Sequence, residues 1–234
     1  MLNNKSKEQQ PILIMEGMAK PFSRRKFFGI MGAGTAIMVT AAACKKDNNG
    51  NNNDGVNLGS GDFGILNYAY ALEQLEAAFY VNVIKTPYTG MSAQETAYLT
   101  DVRDHEIAHR EFFKAALSTK AIQALEVNFS AIDFTNRTSV LGTAKAFEDL
   151  GVTAYNGAGK LLASLEYLTL AGKIVSVEAR HAALIRDLIT PGSFADTTAV
   201  NAMALDGART PIEVLAIAGA YIKTKINPNN LPTS

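Results

Sequence analysis

Glu106-Ile107-Ala108-His109 and Glu178-Ala179-Arg180-His181 each place a carboxylate three residues ahead of an imidazole. On a helix, that spacing puts both side chains on one face, where a Glu oxygen and a His nitrogen can converge on one metal ion. The chain has only 3 histidines, and two of them fall in these matched pairs. Glu178 shares its stripe with Ala171, Ile174, Val175, Ala182 and Ile185, a costly place for an unpaired charge. Something must compensate it.

Two further carboxylates, Glu73 and Glu148, are each followed seven residues later by a tyrosine, Tyr80 and Tyr155. The order Glu, Tyr, then Glu-x-x-His therefore occurs twice, with 33 residues from Glu73 to Glu106 and 30 from Glu148 to Glu178. This predicts two half-sites related by a pseudo-twofold. Glu76 also has apolar neighbours, at Ala69, Leu72, Phe79 and Val83, so the first helix offers two candidates. The tyrosine favours Glu73. One Glu from each of two helices, with one Glu-x-x-His from each of two others, is the ligand set of carboxylate-bridged di-iron and di-manganese bundles.

Four helical segments must carry these groups. Apolar residues recur at helical spacing from Asp62, the expected N-cap, until Pro87 ends the pattern. Ser92-Ala93-Gln94-Glu95 reads as a capping box opening a second helix through Leu117. A third starts around Thr138 or Ser139 and passes Tyr155 before Gly157 and Gly159 loosen it. A fourth runs from about Ser164 to Ile189, where Thr190-Pro191-Gly192 stops it. Strand signals are confined to short pieces such as Val127 to Phe134. The expected fold is all-α, a four-helix bundle over 62–190, followed by an extension over 191–234 with a short helix from Pro211 to Lys223.

The N-terminal part reads as an address. Ser23-Arg24-Arg25-Lys26-Phe27-Phe28 precedes an apolar run from Gly29 to Ala43, of 15 residues, which ends in Ala41-Ala42-Ala43-Cys44. That run is short for a membrane span and has the length of a signal-peptide core. The pattern resembles a twin-arginine signal joined to a lipoprotein cleavage site, with Ala41 where Leu or Val is usual. It implies export to the cell envelope or periplasm and a lipid anchor at Cys44, so 1–44 would be signal and lipidation site. Translation is expected to start at Met18, whose following residues resemble a more usual signal start. Residues 45–61, dominated by Asn and Gly, read as a flexible tether. With one cysteine, no intramolecular disulfide can form. Basic and acidic residues both number 22, with no basic cluster in the C-terminal part, which argues against nucleic acid as a partner.

Residues 62–190 look like the ferritin-like superfamily. Leu72-Glu73-Gln74-Leu75-Glu76-Ala77-Ala78-Phe79-Tyr80 and Val177-Glu178-Ala179-Arg180-His181-Ala182-Ala183 are especially similar to bacterial ferritin-like domain proteins that include desiccation-related proteins. Carried over by position, the resemblance implies Glu73, Glu106, His109, Glu148, Glu178 and His181 as metal ligands. It implies two iron or manganese ions per chain, with Tyr80, Tyr155, Glu76 and His105 beside the ligands. Oxidation of ferrous ion, peroxide removal and catalase-type chemistry in stress protection all fit that set, with oxygen or peroxide as partner. A metal-binding or structural envelope protein without turnover fits it too. Closed-shell storage sits awkwardly with a lipid anchor on every subunit, while a smaller homo-oligomer stays open.

His105-Glu106-Ile107-Ala108-His109 is also a literal His-Glu-x-x-His, the signature of zinc peptidases. Against that reading, Arg110 and Glu111 follow where such enzymes keep uncharged residues, and Glu148, Glu178 and His181 are left without a role. His105→Ala separates the two readings, since a peptidase loses its metal.

Overall fold

A computed structural model describes residues 55–234. The twin-arginine segment, Met18, Cys44 and most of the tether lie outside the described residues. Five α-helices are described: α1 (Gly61–Lys85), α2 (Ala93–Leu117), α3 (Arg137–Gly159), α4 (Leu165–Ile189) and the short α5 (Pro211–Ala218). The first pairs with the second and the third with the fourth, and α1 and α3 bring the two hairpins together. The result is a four-helix bundle with a short extra helix. Among the described residues, no helix is long and apolar enough to cross a membrane.

The helix starts follow local side-chain chemistry. Ser92 and Glu95 form the expected capping box on α2. Asn136 accepts from Ser139 N–H at the start of α3, which begins one or two residues earlier than the apolar pattern indicates, and Ser164 caps α4. Asp62 is not the cap of α1, which belongs to Ser60. Its carboxylate instead accepts from the backbone N–H groups of Ala163 and Ser164, at 2.8 and 2.9 Å. It therefore fastens the α3–α4 turn to the start of α1.

Every residue of α1 from Gly64 to Ala77 is buried, so this helix is covered on all sides rather than along one stripe. Beyond the neighbouring helices, part of the covering comes from segments without helical periodicity. Asn67 donates to the carbonyls of Leu58 and Lys120 and accepts from Ile122 N–H, while Gln74 accepts from Leu125 N–H. Val56–Asn57 (β1), within the stretch expected to be tether, pairs in parallel with Ile226–Asn227 (β2). Leu58 just beyond is fully buried in the core.

The C-terminal helix is shorter than Pro211 to Lys223 because its backbone is claimed elsewhere. Beyond Ala218 the chain turns, Asn128 N–H donates to Tyr221 C=O, and Lys223 N–H donates to Glu126 C=O. The apolar stretch starting at Val127 thus contributes a single bridge to Ile222 instead of a strand. Gly157 and Gly159 do not loosen α3, which continues through both. A Cβ at Gly157 would lie 1.7 Å from the Arg209 carbonyl oxygen. Glycine there lets the C-terminal segment lie against the helix, where Arg209 N–H donates to Thr153 C=O at 3.0 Å.

Candidate metal centre

On each of α1 to α4, the acidic positions fall between two apolar clusters. One includes Leu66, Phe113, Tyr155 and Ile174, and the other includes Phe79, Leu99, Leu141 and Ile185. Burial on both sides leaves Glu73, Glu106, Glu148 and Glu178 fully inaccessible to solvent, with His181 close behind. Such groups are tolerated only if paired or metal-bound.

The two histidines see nearly superimposable surroundings. His109 Nδ1 lies 2.9 Å from Glu178 Oε1, 3.5 Å from Glu73 Oε2 and 3.8 Å from Glu106 Oε2. His181 Nδ1 lies 2.8 Å from Glu106 Oε1, 3.5 Å from Glu148 Oε2 and 3.9 Å from Glu178 Oε2. Exchanging α1 with α3 and α2 with α4 maps one set onto the other, which is the pseudo-twofold expected from the spacing. The tyrosines obey it as well. Tyr80 donates to Glu148 Oε1 at 2.5 Å, and Tyr155 donates to Glu73 Oε1.

Each tyrosine satisfies one oxygen and leaves the other facing inward. Glu73 Oε2, Glu148 Oε2, both oxygens of Glu106 and Glu178, and Nδ1 of both histidines are buried without a hydrogen-bond partner. The short His–Glu separations lack hydrogen-bond alignment, so these atoms converge on shared points rather than on each other. Among the described residues, two groups could hold a metal ion: Glu73, Glu106, His109 and Glu178, and Glu106, Glu148, Glu178 and His181. Glu106 and Glu178 belong to both.

Electrostatics shows what the cluster lacks. Glu178 is pushed well above the usual carboxylate range, first by burial and then by the charges of Glu106 and Glu73. Burial likewise raises Glu148, against the opposing pull of His181. Burial alone would raise Glu106 too, but His109 and His181 outweigh it and hold it at about 2. Burial works to lower both imidazoles, and the carboxylates overcome it, taking His109 to about 12 and His181 to about 10. Glu73, Glu76, Glu106, Glu148 and Glu178 carry −5 when ionised, and two imidazolium ions return only +2. The deficit suits divalent cations.

Of the two α1 candidates, Glu73 enters the cluster and Glu76 does not join either group. Glu76 is nevertheless buried, and it is pushed well above its ordinary range by burial first and Glu178 next. A Cβ at Gly151 would lie 3.2 Å from Glu76 Oε1 and 3.5 Å from Glu178 Oε2. Position 151, three residues after Glu148, is the pseudo-twofold counterpart of Glu76, so one half has a carboxylate where the other has glycine. His105 does not share a focus with His109, as a His-Glu-x-x-His zinc site requires. Its Nδ1 meets His181 Nε2 at 2.9 Å.

Two features near the centre had no sequence signal. Gly151 reads as an ordinary helix weakness until its neighbour is known. Arg186, one turn beyond Ala182, is buried and makes a two-pronged ion pair with Asp149 at 2.7 and 2.8 Å, bracing α4 against α3.

Fold and cluster together define a class: a four-helix bundle with a buried, pseudo-symmetric set of carboxylates and histidines contributed by all four helices. The family model described as ferritin-like domain matches residues 61–191, and the chain belongs to that family. No curated protein matches the chain.

Proposed function

We propose that this protein holds a carboxylate-bridged pair of iron or manganese ions within the bundle. Glu73 and His109 would serve one ion, Glu148 and His181 the other, and Glu106 and Glu178 would be shared. The observation that carries the reading is the set of buried, unpartnered oxygens and imidazole nitrogens at the bundle centre. A cluster that crowds carboxylates without hydrogen-bond partners is costly unless a cation occupies it.

When bound, such a pair supplies one-electron chemistry on each ion, suited to ferrous oxidation or to peroxide removal. The chain's own groups set the conditions. The apolar clusters on both sides exclude water and raise the strength of each charge interaction inside. Tyr80 and Tyr155 hold Glu148 and Glu73 in orientation and keep their second oxygens directed inward. A small apolar cavity of about 30 Å³ is lined by Leu66, Phe113, Ile174 and the Tyr155 ring. It is of a size to admit one small apolar molecule such as oxygen beside Tyr155.

The proposal extends to place. The twin-arginine segment and Cys44 support export and lipid anchoring at the cell envelope, with the metal loaded before export. Cys44→Ala should then move the protein from the membrane fraction to the soluble one. Elemental analysis of the purified chain after iron or manganese supplementation tests the centre, followed by assays of oxygen and peroxide consumption. Bound metal without consumption of either would assign a binding role in place of catalysis.

A further inference from the structure

His105 is exposed on α2, yet its ring reaches the buried His181 on α4. The nitrogen contact is 2.9 Å, the ring planes differ by 10°, and the ring centroids are 5.2 Å apart. A centroid separation that exceeds the nitrogen contact by about two ring radii means the rings lie edge to edge, in one plane, with the nitrogens directed at each other. This is the geometry of an N–H···N hydrogen bond, not of face-to-face stacking.

The bond has one useful direction. His181 faces the carboxylates with Nδ1, which lies 2.8 Å from Glu106 Oε1, and faces His105 with Nε2. A histidine can offer a lone pair from Nδ1 only if its proton is on Nε2. That proton needs an acceptor, and His105 Nδ1 is in place to accept it. The other half lacks the device, because the residue before Glu178 is Val177, which has no side-chain acceptor.

We propose that His105 is a positioning residue that fixes the tautomer and ring plane of His181, making the His181 half the tighter of two unequal metal sites. The inference rests on the metal centre proposed above. A partner on the outer nitrogen of a metal-binding histidine changes affinity by about 10- to 100-fold when removed.

The test uses the full chain, its His105→Ala and His105→Gln variants, and manganous ion as the probe. Wild type should bind two ions with unequal affinity. His105→Ala should weaken one of them by about 10- to 100-fold and leave the other unchanged. His105→Gln, whose amide oxygen can accept, should recover part of the loss. Nitrogen-15 NMR of the metal-free chain, recorded above the His181 folded value of about 10 so that the ring is neutral, should show the His181 proton on Nε2 in wild type and a tautomer mixture in His105→Ala, which a merely structural role would not produce. Two ions bound alike in wild type and His105→Ala would overturn the inference and leave the metal centre standing. Uptake of neither manganous nor ferrous ion by wild type would remove the metal centre and this role together.

Discussion

Tyr80 and Glu148 lie 68 positions apart and meet at 2.5 Å, and Tyr155 closes the reciprocal bond to Glu73. The two bonds run in opposite directions between α1 and α3, so the bundle's innermost helices are tied through the carboxylates proposed to hold metal. Tyr80→Phe keeps the ring packing and leaves Glu148 Oε1 buried without a donor. It should lower stability by about 1–3 kcal/mol, read as a fall in Tm of the metal-free chain. Metal affinity should fall by about 10- to 100-fold on that side. An unchanged Tm would mean that the bond contributes nothing.

The metal-free protein should lose stability as pH rises. Glu76, Glu148 and Glu178 are raised above 4.5, so their contribution is fully present below that value and declines as pH rises towards their folded values. His109 and His181, raised from 6.5 to about 12 and about 10, contribute below 6.5 and lose that contribution as pH rises through those folded values. Within the cluster Glu106 runs the other way, losing its contribution between 4.5 and about 2. Tm of the metal-free chain should therefore fall from roughly pH 5 to pH 8, and added metal should reverse the trend because its ligands bind deprotonated. A Tm that climbs over this range without metal would contradict these shifts.

Glu178→Gln should separate stability from binding. It removes a carboxyl that burial and the neighbouring carboxylates make costly to ionise, so Tm of the metal-free chain should fall less between pH 5 and pH 8 than that of wild type. Metal uptake should be lost. A variant that is both less stable and metal-competent would show that Glu178 is a packing residue.

The helices and the buried carboxylate–histidine cluster were legible because both express one period. Glu-x-x-His at 106–109 and 178–181, and the seven-residue Glu–Tyr steps, are short-range patterns that a helix converts directly into a shared face. The choice of Glu73 over Glu76 followed from Tyr80, although Tyr80 turned out to bond Glu148 and not Glu73. What the pattern could not show depends on contacts between distant segments. Asp62 caps a turn a hundred positions away, Leu58 fills a core site from a stretch rich in Asn and Gly, and Gly157 admits Arg209. None of these leaves a periodic trace.

Two glycines of α3 make a matched test of that last point. Gly157→Ala puts a methyl group into the Arg209 carbonyl and should cost about 1–3 kcal/mol, with the 193–209 segment becoming more sensitive to protease. Gly142→Ala meets nothing within 4 Å and should stabilise the helix by up to about 1 kcal/mol. Equal Tm values for the two variants would refute the close approach at 157.

The most direct test of the central claim is metal content of the full chain, purified after iron or manganese supplementation, beside a Glu178→Ala/His181→Ala double variant of confirmed helicity. The account predicts about two iron or manganese ions per wild-type chain and their loss in the variant. A wild-type chain with no bound metal, or one zinc ion retained in the variant, would contradict it.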